Sequence, residues 1–236
     1  MTVRVARSWN FLVALLVAAA ILVQVWIAIR VSGTPKAHAV GTLAGTPMAN
    51  RVLRVLSFFT IQSITLSGVT AAQLARNPNR DGLIWRPTRL AALFGITVTG
   101  IVYSTVLAKI HEPHGWQETS TNTVFHYIVP IMMVVGWLLF GPRPRIDRRT
   151  IGLALLWPAV WVSYILAYGA ITKWYPYPFL DVITHGYGRV IANSAAVVAV
   201  LFVVTTVYRL GDQRLPTSED ASHDSPARAQ PTGSAS

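Results

Sequence analysis

The sequence predicts an all-α integral membrane bundle of six transmembrane helices, with the N and C termini both cytoplasmic. Three observations carry that expectation. The 236 residues are 53% hydrophobic and only 12% charged, with a mean hydropathy of +0.46; soluble domains carry about a quarter charged residues. Six apolar runs recur along the chain, each near the roughly 20 residues that cross about 30 Å of hydrocarbon. The basic residues are distributed unevenly between alternate connecting segments, which fixes orientation.

The first run, Phe11 to Ile29, follows a short basic start with Arg4 and Arg7. Ala37-His38-Ala39 resembles a signal-peptide cleavage site. The run is longer than the 7–15 residues of a signal-peptide core, so it reads as a retained helix. The second run, Val52 to Leu74, is the most polar and carries Ser57, Thr60, Gln62, Ser63, Thr65, Ser67 and Thr70. The third to sixth runs are Leu90 to Ile110, Val124 to Phe140, Ile151 to Ile171 and Val190 to Tyr208. Irregular backbone cannot face lipid, so each run should be helical. Trp9, Trp26, Trp85, Trp116, Trp174, Tyr175 and Tyr208 fall near run ends, where an aromatic belt would sit.

Orientation follows from Lys and Arg. Thirteen lie at the two termini and in the loops around Arg76–Arg89 and Arg143–Arg149; seven lie in the other three loops. The richer set belongs in the cytoplasm, with Ser32–Ala49, His111–Asn122 and Lys173–Tyr187 outside. Residues 1–210 form the membrane domain. Residues 211–236, rich in Pro, Ser, Asp and Ala, cannot bury a core and read as a disordered cytoplasmic tail.

The net charge of +11 does not point to nucleic acid, because the charges flank apolar runs. The expected partners are membrane lipids, and the sequence leaves the oligomeric state open. With no Cys, disulfides, thiol nucleophiles and thiolate metal sites are excluded. No Asp, Glu, Lys or Arg lies mid-membrane in any of the six runs, which argues against a proton-driven pump or a charged-substrate transporter.

Two polar residues stand out. Thr60 lies about nine residues into the second run, roughly 13 Å deep, and His126 lies about 8 Å deep in the fourth, at 1.5 Å per residue. Both then sit in the outer leaflet. A lone Thr there is ordinarily helix glue, and a lone His a satisfied packing residue. His111-Glu112-Pro113-His114 resembles a metal cluster but reads as a wet loop. Trp174-Tyr175-Pro176-Tyr177-Pro178-Phe179-Leu180-Asp181 cannot be helical through its prolines. It reads equally as a surface aromatic anchor or as a lid over an outer cavity.

Phe58–Ser63, His126–Pro130 with Trp137–Phe140, and Tyr175–Asp181 with Gly186-Tyr187-Gly188 resemble a bacterial predicted six-transmembrane-helix family. That family is similar to the androgen-induced protein and androgen-dependent TFPI-regulating protein family, threonine hydrolases of fatty-acid esters of hydroxy fatty acids. The resemblance covers about Trp9 to Arg209. It implies a lipid-ester hydrolase in a bacterial plasma membrane, with Thr60 as nucleophile and His126 as base, and calls for no cofactor and no metal. A carboxylate expected before Trp137 is Gly136 here. Gln62 and Ser63 are candidate oxyanion donors, Asp181 a candidate partner of His126, and Tyr175 and Tyr177 candidate supports. Acyl chains would lie near Ile128, Met132 and Met133. Two other readings stay open: a non-enzymatic binder, transporter or scaffold, and a His-ligated metal or haem protein using His126, His111, His114 or His185.

Overall fold

The structure, a computed structural model, describes residues 3–33 and 40–216. The cleavage-like Ala37-His38-Ala39 and most of the tail lie outside the described residues. Eight α-helices carry the fold: α1 Val3–Arg30, α2 Met48–Ser57, α3 Phe59–Arg76, α4 Trp85–Val102, α5 Gly115–Thr123, α6 Val129–Phe140, α7 Arg148–Thr172 and α8 Val182–Arg214. Five helical segments are long and apolar enough to cross a membrane, and six if α2 and α3 are one broken span. Alternation of the helices leaves Val3 and Arg214 at the same end of the bundle, called here the terminal end; the opposite end carries the long loops.

The boundaries differ from the apolar runs in physically informative ways. The second run is not one rod: α2 and α3 meet at 71°. Phe58 is extended (φ −66°, ψ 133°), so α3 starts afresh at Phe59. The third span begins at Trp85 rather than Leu90, which brings Arg89 into α4. Arg89 is buried and donates to Thr70 Oγ1 (3.4 Å) and the Met133 sulfur (3.8 Å). A cation is therefore inside the helical bundle, near the terminal end, contrary to the expectation from the runs. The fourth span starts at Gly115, through α5, a π-helical turn Val124–Ile128 and α6. The sixth is broken at Gly186 (φ 69°, ψ 161°), which sets a short first turn from Val182 apart from the long helix that runs to Arg214, past residue 210. It continues because Gly211 lies flat against Trp137 and the Asp212 carboxylate accepts the Arg145 and Ile146 amides, each at 2.7 Å.

Helix α4 is central. Leu90, Ala92, Leu93, Phe94 and Ile96 are all essentially inaccessible, and α3, α6, α7 and α8 pack on it. Helix α1 packs on α3, where Val17 sits over Gly68; a Cβ there would come within 2.6 Å. Three of the hydroxyl residues of α3 cost little to bury. Thr65, Ser67 and Thr70 each donate to the carbonyl four residues back.

The aromatic residues do not form the expected belt. Trp85, Trp174, Tyr175 and Tyr208 are buried, and only Trp26 and Trp116 of that group are exposed. Trp174 is held inward by its bond to the Thr42 carbonyl and Tyr208 by the Thr97 hydroxyl, and Tyr175 belongs to a repeated pairing of rings with helical glycines. Trp9 lies on Gly136, Trp157 on Gly95, Tyr175 on Gly169 and Trp137 on Gly211. Each glycine lets a flat ring approach the helix backbone. Gly136 is thereby explained: a Cβ there would stand 2.7 Å from Trp9 Nε1, whose N–H donates to the Met132 carbonyl (3.1 Å).

At the terminal end, Asp81 holds Arg86 through two bonds of 2.6 and 2.7 Å. That guanidinium lowers the Asp81 carboxyl to about 2. Asp147 caps α7 by accepting the Thr150 amide at 2.7 Å.

Candidate functional site

Thr60 is the second residue of α3, immediately after the break at Phe58. The first amides of a helix lack intrahelical acceptors, and Phe58 offers no side-chain cap. The cap comes from a distant loop. The Thr60 N–H donates to the Tyr177 hydroxyl at 3.3 Å, and the Thr60 and Tyr177 hydroxyls are also 3.3 Å apart. Tyr177 is buried, which pushes its phenol up and keeps it a proton donor.

The loop after α7 therefore turns inward. Trp174, Tyr175, Tyr177, Leu180 and Asp181 are all buried. The Trp174 indole donates to the Thr42 carbonyl (3.0 Å), and the Gly41 amide donates to the Tyr175 carbonyl (2.9 Å). Gly41 has φ +71°, and a Cβ there would press on the Pro176 carbonyl at 3.2 Å. Of the two sequence readings, the lid is the one this geometry matches: two loops clasp each other over the end of the bundle.

His126 lies in the π-helical turn Val124–Ile128, and Tyr103 opens a second π-helical turn, Tyr103–Leu107. The two rings stack at 3.8 Å between centroids and 17° between planes. Pro130 lacks the N–H that would answer the His126 carbonyl in a regular α-helix. Gly100 lets α4 approach that carbonyl, with a Cβ position 3.2 Å away. Single π turns in α-helices recur at functional sites. His126 Nδ1 lies 3.0 Å from the Asn122 carbonyl oxygen. A carbonyl only accepts, so Nδ1 carries the proton and, in the neutral ring, Nε2 keeps its lone pair.

Thr60, Tyr103, His126 and Tyr177 stand at the meeting of two cavities. One, of about 440 Å³, faces the loop end and includes Gln24, Thr42, Glu118, Thr121 and Asn122. The other, of about 350 Å³, is almost wholly apolar and runs between α7 and α8. Those two helices each pack on α4 but scarcely touch one another. Val198 and Phe202 of α8 line the gap and are exposed on the bundle's outer surface.

No match was found among protein-family models, curated proteins or solved structures. The site's chemistry rests on its own geometry.

The remaining sequence candidates fall elsewhere. No hydrogen bond joins Thr60 to His126; they share cavity walls only. Gln62 faces α7, where its carbonyl accepts the Trp157 indole N–H at 3.1 Å, so it is not an oxyanion donor at Thr60. Ser63 is buried beside Gly95, its hydroxyl unpartnered and outside both cavities. Asp181 does not reach His126. It caps α8, accepting the Ile183 amide (3.1 Å) and the Thr184 hydroxyl. Tyr175 supports the lid through Gly169 rather than the cavity. Ile128, Met132 and Met133 line neither cavity: Ile128 is exposed, the Met132 carbonyl receives Trp9 and the Met133 sulfur receives Arg89. His111 Nδ1 bonds the Tyr103 hydroxyl at 3.1 Å. Among the described residues no three His, Asp or Glu converge as metal ligands. The sequence reading missed Tyr103. Its signal would have been its place near the end of the third run, at the same depth as His126.

Proposed function

We propose that this chain is a multi-pass protein of a bacterial plasma membrane, with both termini in the cytoplasm, that binds an amphiphilic fatty-acid ester and hydrolyses it. One observation carries this reading: a polar cavity and an apolar cavity meet at a hydroxyl and an imidazole. An ester whose acyl chain fills the space between α7 and α8 puts its carbonyl at Thr60 and its alcohol half in the polar cavity. The resemblance to threonine lipid hydrolases points the same way.

The chemistry follows acyl transfer. Thr60 Oγ1 attacks the ester carbonyl carbon while its proton passes to Nε2 of His126 through a water held between them. The carbonyl oxygen becomes an oxyanion at the start of α3, where the helix dipole and the O–H of Tyr177, whose oxygen already accepts the Thr60 amide, offer stabilisation. The ester C–O bond then breaks and the alcohol leaves with the proton from His126. Water attacks the acyl-threonine, giving its proton to His126, and the fatty acid departs as Thr60 recovers its hydrogen.

Reaction with a fluorophosphonate probe tests the nucleophile. Wild type and Thr60→Ser are expected to label, and Thr60→Ala to remain unlabelled. Equal labelling of wild type and Thr60→Ala removes Thr60 from the role. A second reading, a lipid binder without turnover, is favoured by the bonding of Thr60 to Tyr177 rather than to His126. It predicts co-purified lipid and no ester cleavage.

A further inference from the structure

We infer that the alcohol half of the bound ester is an uncharged, hydroxyl-bearing group of the glycerol type, and that phosphate- or carboxylate-ended esters are rejected. This rests on the lipid-ester reading and narrows its substrate class. The observation is the charge and hydrogen-bonding character of the polar cavity. Among the described residues, none of its lining side chains is Lys or Arg. The apolar cavity has none either.

The cations at that end are turned to other work. Arg51 donates to the Val31 carbonyl and Arg54 to the Thr42 carbonyl, and Arg54 lies over the Trp174 ring. They fasten the rim instead of lining the cavity. The carboxyl group that does line it is Glu118, which accepts the His114 amide at 2.7 Å, and the imidazoles of His111 and His126 complete its titratable lining. A phosphate or carboxylate brought here would lose hydration, meet no Lys or Arg among the described lining residues and face Glu118. Anion sites are built from Arg forks or Lys, and none stands here among the described residues.

The groups that are present suit hydroxyls. Gln24 and Asn122 offer amides with both donors and acceptors, and Asn122 Oδ1 is buried without a partner. An acceptor left unmade in a buried wall favours a ligand that donates. A hydroxyl donates to Asn122 Oδ1 or Glu118 and accepts from an amide N–H, whereas an ionised phosphate or carboxylate accepts only. The inference sets this chain apart from the substrate its resemblance implies. An ester of a hydroxy fatty acid ends in a carboxylate, and that end has no described cation to meet.

The test uses the full chain in lipid nanodiscs and three ethers of one alkyl length, which cannot be hydrolysed. One ends in glycerol, one in glycerol phosphate and one in a carboxylate. Displacement of a fluorescent fatty ester gives their affinities, and the matching esters are assayed for cleavage. The glycerol ether is expected to bind about tenfold or more tightly than either anion, the least that one uncompensated charge at a half-buried site should cost. Glu118→Lys is expected to raise binding of the carboxylate ether by a similar factor. Equal or tighter binding of an anionic ether by wild type overturns the inference, as does binding of none of the three. Selective binding of the glycerol ether without cleavage of any ester upholds the head-group preference and overturns the hydrolase.

Discussion

Tyr177→Phe removes one oxygen atom from the lid and leaves its ring in place. That oxygen accepts the Thr60 amide and lies in hydrogen-bonding distance of the Thr60 hydroxyl, both at 3.3 Å, and Thr60 is only 8% exposed. With the phenol oxygen gone, α3 loses its sole side-chain cap and a buried amide is left without an acceptor. A lost cap costs about 1 kcal/mol, and a buried group left unpaired about 1–3 kcal/mol. These overlap, so about 2 kcal/mol is expected. For a chain of this size that is a fall of about 4–8 °C in apparent Tm, at roughly 2–4 °C per kcal/mol. The assay is thermal unfolding in detergent followed by tryptophan fluorescence, for which the chain carries 8 Trp. Tyr175→Phe is the control: that ring is as buried, but its hydroxyl has no hydrogen-bond partner in the described residues, so a change within about 0.5 kcal/mol is expected. If Tyr177→Phe melts with wild type, or if Tyr175→Phe melts as low as Tyr177→Phe, the trans-cap account of α3 is wrong.

Gly100→Val should separate α4 from the His126 turn, because even its Cβ would stand 3.2 Å from the His126 carbonyl and from Pro130. Overpacking of this kind costs about 1–3 kcal/mol, and fluorophosphonate labelling of Thr60 should fall with it as Tyr103 slides off His126. Asp181→Ala should lower stability by about 1 kcal/mol through loss of the α8 cap, while the pH dependence of labelling stays that of wild type; a changed pH dependence would return Asp181 to the role of a His126 partner. Asp81 supplies an acid-sensitive contact at the terminal end. Arg86 depresses its carboxyl from 3.8 to about 2, so the stabilisation is fully present above pH 4 and is lost as pH falls through 2. Asp81→Asn should therefore flatten the stability profile between pH 4 and 2, measured by the same unfolding assay at constant ionic strength.

The sequence was most informative where one kind of force acts alone. A backbone in hydrocarbon must satisfy its own hydrogen bonds, so long apolar runs are helical wherever they pack. The helical character and approximate position of each span follow from that. Boundaries failed where polar or flat side chains found partners far away in sequence. Arg89 looked like a loop residue because nothing near it in the chain tells that Thr70 and Met133 receive it. The break at Phe58 carries no proline or glycine, so its local sequence is silent. The aromatic residues looked like a lipid belt, yet ring-on-glycine packing is written only in pairs such as Trp9 with Gly136 and Tyr175 with Gly169, distant in the chain. Thr60 and His126 were both visible as unusual polar residues at comparable depth. Their actual neighbours, Tyr177 and Tyr103, were not assigned from spacing.

What the sequence alone determined, then, is an α-helical chain with spans of membrane length and a small set of polar side chains that demand a reason. The tertiary structure decided which reason each one has. It gave Asp181 to the start of α8 and Gln62 to Trp157, and left Thr60 and His126 on the walls of shared cavities. The division has a physical cause: helix formation answers to the chain's immediate solvent, whereas the partner of a buried hydroxyl is fixed by which helices leave gaps and which loops turn inward to fill them.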